Sequence, residues 1–386
     1  MHGYPRRILR GGRRRLPEVD TTPEKTLPDL VPSLPAISQT SCPLFTVFPA
    51  EIRNRIYALT LESEDTSSND DPDSLYGRNT FYYRPGYKQP KRIQTALLQT
   101  CQQIYNEASL LPTAVNEHTF WFYRAPPHVK HASSPVQYFR NMTPKQRAQV
   151  HDLHFFTQQY FLEDNPWSRV WVGMKMGEDG RNMRGECRLA PKKITFTFRH
   201  TDWWFWENND PLGMDPFRCG RTRAHEMDRP AGPYQERAWG NQFASVPSLE
   251  EVVIEFETIM RKREQLDGII ERAMNWKFPM QADNSVYLVA DPSSRSTYSW
   301  IGAKEVDLKK GATPAPRIIG QDGRPDLETV PEPEPVLAVP TLKPFDPQSA
   351  LRTGDSTTPG GQLRYDPQTE EEFYVVFLTW RKQRVD

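Results

Sequence analysis

Two short segments in the first third of the chain carry apolar residues at helical spacing. In the first segment, Ile52, Ile56 and Leu59 recur on one face, which predicts an amphipathic helix with Pro49 at its first position. The apolar stripe of the second segment consists of Leu97, Cys101, Ile104, Ala108 and Leu111. We expect the two stripes to bury each other as a helical hairpin, and we expect Pro112 to end the second helix.

Beyond this hairpin the apolar pattern changes to the period of two that is typical of strands. Strands are predicted at residues 119–123, 153–155, 194–198, 252–256 and 286–290. Helices are predicted at 143–150, where Thr143 and Gln146 have the spacing of a capping box, and at 266–274. Residues 373–380 are apolar on both faces, which predicts a central strand of the same sheet. Strands that alternate with helices favour an α/β fold with a partly parallel sheet, and an α+β arrangement is the alternative.

Proline and charged residues interrupt the apolar pattern. The chain has 386 residues, of which 36 are proline, so the folded part is expected to be shorter than the chain. An acidic, serine-rich stretch at residues 62–79 predicts a surface loop between the two helices. The predicted organisation is a disordered basic arm (1–42), a two-helix domain (43–123), an α/β interaction region (124–302), a proline-rich disordered segment (303–366) and a returning strand (367–386).

Charge and cysteine usage argue against several classes of protein. The formal net charge is zero, so no global field attracts the chain to nucleic acid or to an anionic membrane. Cys42, Cys101, Cys187 and Cys219 are widely separated, which predicts free thiols and no structural zinc site. No apolar run has the length of a membrane span, and the amino terminus has no signal-peptide pattern. We expect an intracellular protein, nuclear or cytoplasmic, with no membrane contact.

The sequence contains no motif that supports catalysis or cofactor binding. The nucleophile elbow, the phosphate loop, the zinc-protease motif and the dinucleotide fingerprint are all absent. His151 and His154 are three apart on a predicted strand, so they point to opposite faces and cannot easily share a metal ion. Cys101 lies in an apolar stripe, which favours a buried thiol over a nucleophile. We therefore expect a non-catalytic protein with neither cofactor nor metal.

Trp203, Trp204 and Trp206 are the candidate partner-binding residues of the α/β region. Adjacent tryptophans cannot all face one core, and tryptophan is enriched in binding hot spots. The alternative is that these rings fill the space between the sheet and its loops.

Six arginines near the amino terminus form a second candidate site. They are Arg6, Arg7, Arg10, Arg13, Arg14 and Arg15. Such a basic arm is consistent with a solvated tail, with a nuclear localisation signal or nucleic-acid tether, and with a mitochondrial presequence.

The two helical segments carry a resemblance to a known family. FPAEIRNRIYAL (48–59) and ALLQTCQQIYNEASLL (96–111) resemble fungal F-box-like proteins of the two-EXR type, and the resemblance covers about residues 44–122. The first segment also looks like the opening helix of an F-box, which in that family docks the Skp-type adaptor of a cullin ubiquitin ligase. The resemblance implies partner binding through Pro49, Glu51 and Arg53. Residues 247–254 look like one unit of an irregular leucine-rich-repeat-like layer.

These patterns predict a non-catalytic protein–protein interaction protein, of which a substrate-receptor-type adaptor for ubiquitin ligation is the leading form. A nuclear factor that contacts nucleic acid through its basic arm and a scaffold unrelated to ubiquitin are the alternatives. We also predict an ion pair between Arg53 and Glu107, because the pattern places them on facing helices.

Overall fold

A computed structural model describes eleven stretches of the chain. They are residues 37–39, 41–65, 84–87, 91–122, 125, 135–164, 189–218, 238–280, 285–303, 342–346 and 370–384. The predictions made for the basic arm, the acidic loop and the proline-rich segment fall mostly outside these residues.

The helices are short. They are α1 (Pro43–Thr46), α2 (Ala50–Leu61), α3 (Gln102–Ala108), α4 (Leu111–Ala114), α5 (Pro135–Arg140), α6 (Pro144–Ala148), α7 (Gln159–Asp164) and α8 (Arg263–Ala273). Turns of 3-10 helix lie at Thr95–Gln99, His200–Asp202, Trp206–Asn208, Trp239–Ser245, Met260–Lys262 and Pro292–Ser294. The capping box predicted for α6 is confirmed, because the Thr143 hydroxyl accepts from the Gln146 N–H at 3.2 Å and the Gln146 side chain accepts from the Thr143 N–H at 2.9 Å.

The described strands form a two-stranded antiparallel sheet and one large mixed sheet. The strands are β1 (Glu64–Asp65), β2 (Lys91–Arg92), β3 (His118–Trp121), β4 (Asp152–Phe156), β5 (Lys193–Phe198), β6 (Glu251–Ile259), β7 (Lys277–Pro279), β8 (Val286–Ala290), β9 (Ser296–Ala303), β10 (Lys343–Pro344) and β11 (Glu370–Arg384). β1 pairs with β2, and the nine others form a sheet of order β10-β9-β11-β6-β5-β4-β3, with β8 beside β11 and β7 beside β8. Neighbours from β3 to β6 are parallel and the other pairs are antiparallel. A mixed α/β fold with a partly parallel sheet is therefore confirmed.

The last strand lies in the middle of this sheet. β11 pairs with β6 along one edge and with β9 and β8 along the other. Its central residues Val375, Val376 and Leu378 are fully buried. Burial on both faces explains why residues 373–380 lack the alternation of a half-exposed strand.

One face of the sheet carries the main hydrophobic core. Its residues on the strands are Phe120, Leu153, Phe155, Ile194, Phe196, Phe198, Val252, Ile254, Phe256, Phe278, Leu288, Ala290, Tyr374, Val376, Leu378 and Trp380. Helix α8 contributes Leu266, Ile269, Ile270 and Ala273 to the same core. Aromatic contacts close one end, where the ring centroids of Trp276 and Trp380 lie 6.2 Å apart in a stacked arrangement.

The first helix turns a different face inward from the one its apolar spacing predicts. Ile52, Ile56 and Leu59 are 47%, 37% and 53% exposed, whereas Tyr57 and Leu61 are fully buried. The prediction of a buried Ile52 face is therefore wrong. The ring of Tyr57 supplies a large apolar area, and its hydroxyl finds a partner inside the hairpin, which favours burial of this face.

The second predicted helix is divided into three pieces. A 3-10 turn, Thr95–Gln99, precedes α3, and Cys101 between them has extended backbone angles (φ −157°, ψ 158°). Pro112 does not end this segment as predicted, because it lies in the first turn of α4, where a proline is tolerated. The predicted stripe nevertheless forms one small core, in which Ile104 and Ala108 are buried with Tyr57 and Leu61.

Part of the proline-rich segment is ordered, contrary to prediction. β10 pairs antiparallel with β9, and the Phe345 N–H donates to the Thr297 carbonyl at 3.0 Å. The Phe345 ring contacts Tyr374 at 5.0 Å between centroids, and the Arg263 guanidinium lies 4.6 Å from its centroid. Strand pairing and the contacts of the Phe345 ring therefore both tie this part of the proline-rich segment to the sheet.

Candidate protein-docking surface

The helical hairpin is held together by an ion pair that the sequence pattern predicts. Arg53 donates to both carboxylate oxygens of Glu107, with Nε at 3.0 Å and Nη2 at 2.9 Å, and the Tyr57 hydroxyl donates to the same carboxylate at 3.1 Å. The hydrogen bond from Arg53 lowers the pKa of Glu107, and burial raises the pKa of Tyr57 to about 12. The predicted Arg53–Glu107 pair is confirmed, and its fork geometry fixes the inner face of α2.

The side chain of Asn116 is a second link within the helical hairpin, and the sequence pattern did not predict its contacts. Its side-chain amide donates to the carbonyls of Leu61 at 2.9 Å and Pro112 at 2.8 Å, and its side-chain oxygen accepts from the Ser63 N–H at 2.6 Å. One buried amide thereby joins the end of α2 to α4. No local signal identifies this asparagine as the link to α2, because its partners Leu61 and Ser63 are more than fifty residues away.

Because its other face is buried, α2 presents an apolar stripe outward. We define the α2 stripe as Phe48, Ile52, Ile56 and Leu59. The three helical positions fall within about 60° of one another around the helix axis, because each residue advances about 100°. Most of the large apolar side chains that are exposed in the described part of the chain lie between residues 37 and 59. A contiguous apolar patch of this kind is typical of an interaction site.

The partner-binding residues predicted for α2 differ in whether their side chains face solvent or the helical hairpin. Pro49 is the N-cap residue of α2, one position before the first helical position predicted for it, and is exposed. Glu51 is exposed in the first turn of α2. Arg53 instead points into the hairpin, where Glu107 holds its guanidinium. Arg55 and Glu62 are exposed and add a polar rim to the side of the stripe on which Glu51 lies.

The three predicted tryptophans occupy separate environments. Trp203 is buried against the core and donates its indole N–H to the Glu257 carbonyl at 2.8 Å. This ring therefore fills space between the sheet and its loops. Trp204 is half-buried and donates to the Glu163 carboxylate at 2.5 Å, and Trp206 is half-buried beside His200. Phe205 between them has a left-handed backbone (φ 49°), which costs about 1–3 kcal/mol for a bulky residue and needs firm packing around it.

The other face of the sheet carries a polar network that sequence reasoning did not predict. Residues of this second face are Thr119, Trp121, His154, Phe156, Thr197, Arg199, Glu255 and Glu257. Residues 84–87 lie over it and place the Arg84 guanidinium between Glu257 at 2.8 Å and Glu255 at 2.5 Å. Burial by itself lowers the pKa of Arg84, but the two carboxylates outweigh it, so the net shift is upward.

The network continues across the strands to His154. The Thr197 hydroxyl donates to Glu255 at 2.6 Å, so its oxygen accepts from Nε2–H of His154 at 2.7 Å. His154 Nδ1 lies 2.8 Å from the Tyr87 hydroxyl and 3.0 Å from Glu117 Oε1. These hydrogen bonds assign both nitrogens of His154 to the network. In the described part of the chain, no group of three or more histidine, cysteine, aspartate or glutamate side chains has the geometry of a metal site.

Comparison with family models, with curated proteins and with solved structures found no match. Among the residues that the structure describes, no helix combines the length and apolar character that crossing a bilayer requires. The candidate site is therefore defined by its own geometry, as an apolar helix face beside a separately packed α/β sheet.

Proposed function

We propose that this chain is a non-catalytic protein–protein interaction protein that docks a partner through the α2 stripe. One observation carries the proposal: Ile52, Ile56 and Leu59 point away from the small core, while Tyr57 and Leu61 on the opposite face are fully buried. A helix that is apolar on both faces needs a second apolar surface to cover the outer one. An amphipathic helix laid along the stripe is the simplest cover, because it contacts positions four and three apart.

The stripe contains enough apolar area to matter for binding. Complete burial of an exposed isoleucine or leucine side chain contributes about 1.5–3 kcal/mol, and the three helical stripe residues are already half covered. Association also costs translational and side-chain freedom, so a few such residues support a transient or moderately tight complex. The Arg53–Glu107 pair keeps the helix pre-oriented, which reduces the part of this cost that comes from ordering α2.

The resemblance to F-box-like proteins supports the choice of partner. We propose a Skp-type adaptor of a cullin ubiquitin ligase, with Pro49 and Glu51 at the edge of the contact. The α/β region would then select a target, through half-buried Trp204 and Trp206 and a leucine-rich-repeat-like layer around residues 247–254. The basic arm, which the nucleic-acid alternative requires, lies outside the described residues.

We expect Ile56→Asp in the full chain to lower adaptor binding by at least about tenfold and to leave folding intact. The charge would be desolvated inside the contact, whereas in the free protein this side chain already faces water. Affinity purification scored for the Skp-type adaptor and the cullin measures binding, and thermal unfolding by circular dichroism measures folding.

The matched control is Asn54→Asp, which introduces the same charge at an exposed position of α2 outside the stripe. This control should bind as the wild type does. Equal adaptor recovery with Ile56→Asp and with wild type would contradict docking through the stripe. Absence of adaptor and cullin from the wild-type sample would contradict the ubiquitin assignment and favour the scaffold alternative.

A further inference from the structure

A groove between the helical hairpin and β3 is separate from the α2 stripe. Its volume is about 340 Å³, within the range of roughly 300–1,000 Å³ that small-molecule sites occupy. It is lined by Ser63, Tyr87, Lys91, Ile93, Pro112, Thr113, Asn116, Glu117, His118, Thr119, Trp121, Tyr138 and Met142. These residues come from the helical hairpin and β2, from residues 84–87, from β3 at the edge of the sheet, and from α5 and the turn after it, so the groove exists only in the assembled fold.

Glu117 provides a fixed negative charge in this groove. Its Oε1 lies within hydrogen-bond distance of the Thr119 hydroxyl (2.9 Å), His154 Nδ1 (3.0 Å) and the Tyr87 hydroxyl (3.3 Å). Burial by itself raises the pKa of Glu117, but the hydrogen bond from His154 and the charges around it outweigh burial and lower the pKa to about 2. All hydrogen bonds of this carboxylate in the described part of the chain go to Oε1, which leaves Oε2 for a ligand.

Lys91 provides a positive charge at the rim of the same groove. Its side chain is exposed, and Nζ lies 5.7 Å from the centroid of the Tyr87 ring. The same ammonium group contributes to the lowered pKa of Glu117 through its charge. The groove thus presents one carboxylate and one ammonium group, whose opposite charges attract each other electrostatically.

The remaining lining is uncharged and combines apolar and aromatic side chains with polar ones. His118 donates from Nε2 to the Thr113 carbonyl at 2.9 Å, so Nδ1 accepts from the Tyr138 hydroxyl at 3.0 Å, and burial lowers the pKa of this imidazole and keeps it neutral. Trp121 meets the Tyr87 ring edge to face, with centroids 5.5 Å apart. Ile93, Pro112 and Met142 add aliphatic surface. Among the lining side chains, a ligand therefore meets one pair of opposite charges together with apolar, aromatic and hydrogen-bonding groups.

We propose that this groove binds a free zwitterionic amino acid with an apolar or aromatic side chain. The ligand ammonium group donates to Glu117 Oε2, and its carboxylate accepts from Lys91 Nζ. The side chain lies against the apolar lining beside Trp121. This geometry balances both charges of the groove, whereas a simple cation is opposed by Lys91 and a simple anion by Glu117.

The test is isothermal titration calorimetry on the full chain with L-phenylalanine as the probe. Phenethylamine lacks the carboxylate and 3-phenylpropanoate lacks the ammonium group, so each should bind at least about tenfold more weakly than phenylalanine. N-acetyl-L-phenylalanine amide presents the same ring within a peptide and should not bind. Saturable binding of that amide as tight as phenylalanine would overturn the proposal and point to a peptide.

Two variants test which protein side chain pairs with each charge of the ligand. Lys91→Met should weaken phenylalanine binding about tenfold and should not weaken phenethylamine binding, because the ammonium group that opposes this cation is gone. Glu117→Gln should likewise weaken phenylalanine binding about tenfold and should not weaken binding of 3-phenylpropanoate. Lys277→Met, at an exposed lysine on β7, is the matched control and should bind as wild type does. Lys91 is exposed, so its variant keeps the test decisive if Glu117→Gln unfolds. Absence of saturable phenylalanine binding, or equal binding by wild type and Lys91→Met, would overturn the proposal.

Discussion

Replacing Arg84 by methionine is expected to lower the free energy of unfolding by about 3–5 kcal/mol. The Arg84 side chain is only 2% exposed and bridges Glu255 and Glu257, which lie on β6 beneath it. Methionine preserves much of the apolar volume but leaves both carboxylates without their bridging cation. Chemical denaturation monitored by tryptophan fluorescence measures the loss.

The pH dependence of this variant identifies the cause of its instability. Burial already raises the pKa of Glu257, and loss of Arg84 removes the main opposing influence. A carboxyl group whose pKa is raised in the folded state takes up a proton before the unfolded chain does, so the folded variant recovers stability as the pH falls. The difference from wild type should therefore shrink between pH 8 and pH 5.

Arg381→Met is the matched control for Arg84→Met. Arg381 is 58% exposed and pairs with Glu251, which lies on β6, the strand that also carries Glu255 and Glu257. We expect no measurable change in the free energy of unfolding, because exposed pairs contribute little. A small effect of Arg84→Met, equal to that of Arg381→Met, would show that the buried network does not stabilise the second face.

Lowering the pH from 6.5 to 4 is expected to destabilise the wild-type protein by about 3 kcal/mol through His200, at about 1.4 kcal/mol per pH unit. Burial, followed by the charges of Lys262 and Arg261, lowers the pKa of His200 to about 3. The unfolded chain takes up a proton below the ordinary value of 6.5, whereas the folded chain does not. Stability is therefore full above pH 6.5 and falls as the pH drops toward 3.

His200→Phe tests this assignment. The His200 ring packs beside Trp206 and Phe373, and its buried Nδ1 has no hydrogen-bond partner among the described residues, so an apolar ring of similar size suits the position. The variant should flatten the pH dependence of the unfolding free energy between pH 6.5 and pH 4. Some slope should remain, because burial also lowers the pKa of His118. A wild-type unfolding free energy that stays constant from pH 7 to pH 4 would contradict the assignment.

Local chemistry was sufficient to predict several elements of this protein. The period-two pattern of Ile194, Phe196 and Phe198 is that of β5, and the residues around Val252 belong to β6, because alternation is a property of neighbouring residues. The capping box at Thr143 is equally local. The Arg53–Glu107 pair was also predictable, since two amphipathic segments limit which charged residues can meet.

The inward face of α2 was not predictable from spacing alone. Ile52, Ile56 and Leu59 make the more apolar stripe, yet Tyr57 and Leu61 are buried. The Tyr57 hydroxyl is satisfied by Glu107, fifty residues further along the chain. A sequence pattern scores side chains by their own polarity, whereas the fold selects the face whose polar atoms find partners.

The sequence by itself determined six strands (β3, β4, β5, β6, β8 and β11), the capping box at Thr143 and the two amphipathic segments, because each depends on side chains a few residues apart. Only the tertiary structure decided which face of α2 remains exposed, where Trp203 lies, and how Arg84, His154 and Glu255 come together. Those outcomes depend on long-range hydrogen bonds and ion pairs in a buried environment. There the free-energy cost of an unpaired polar group exceeds any local preference, and the partners are set by strand order and register.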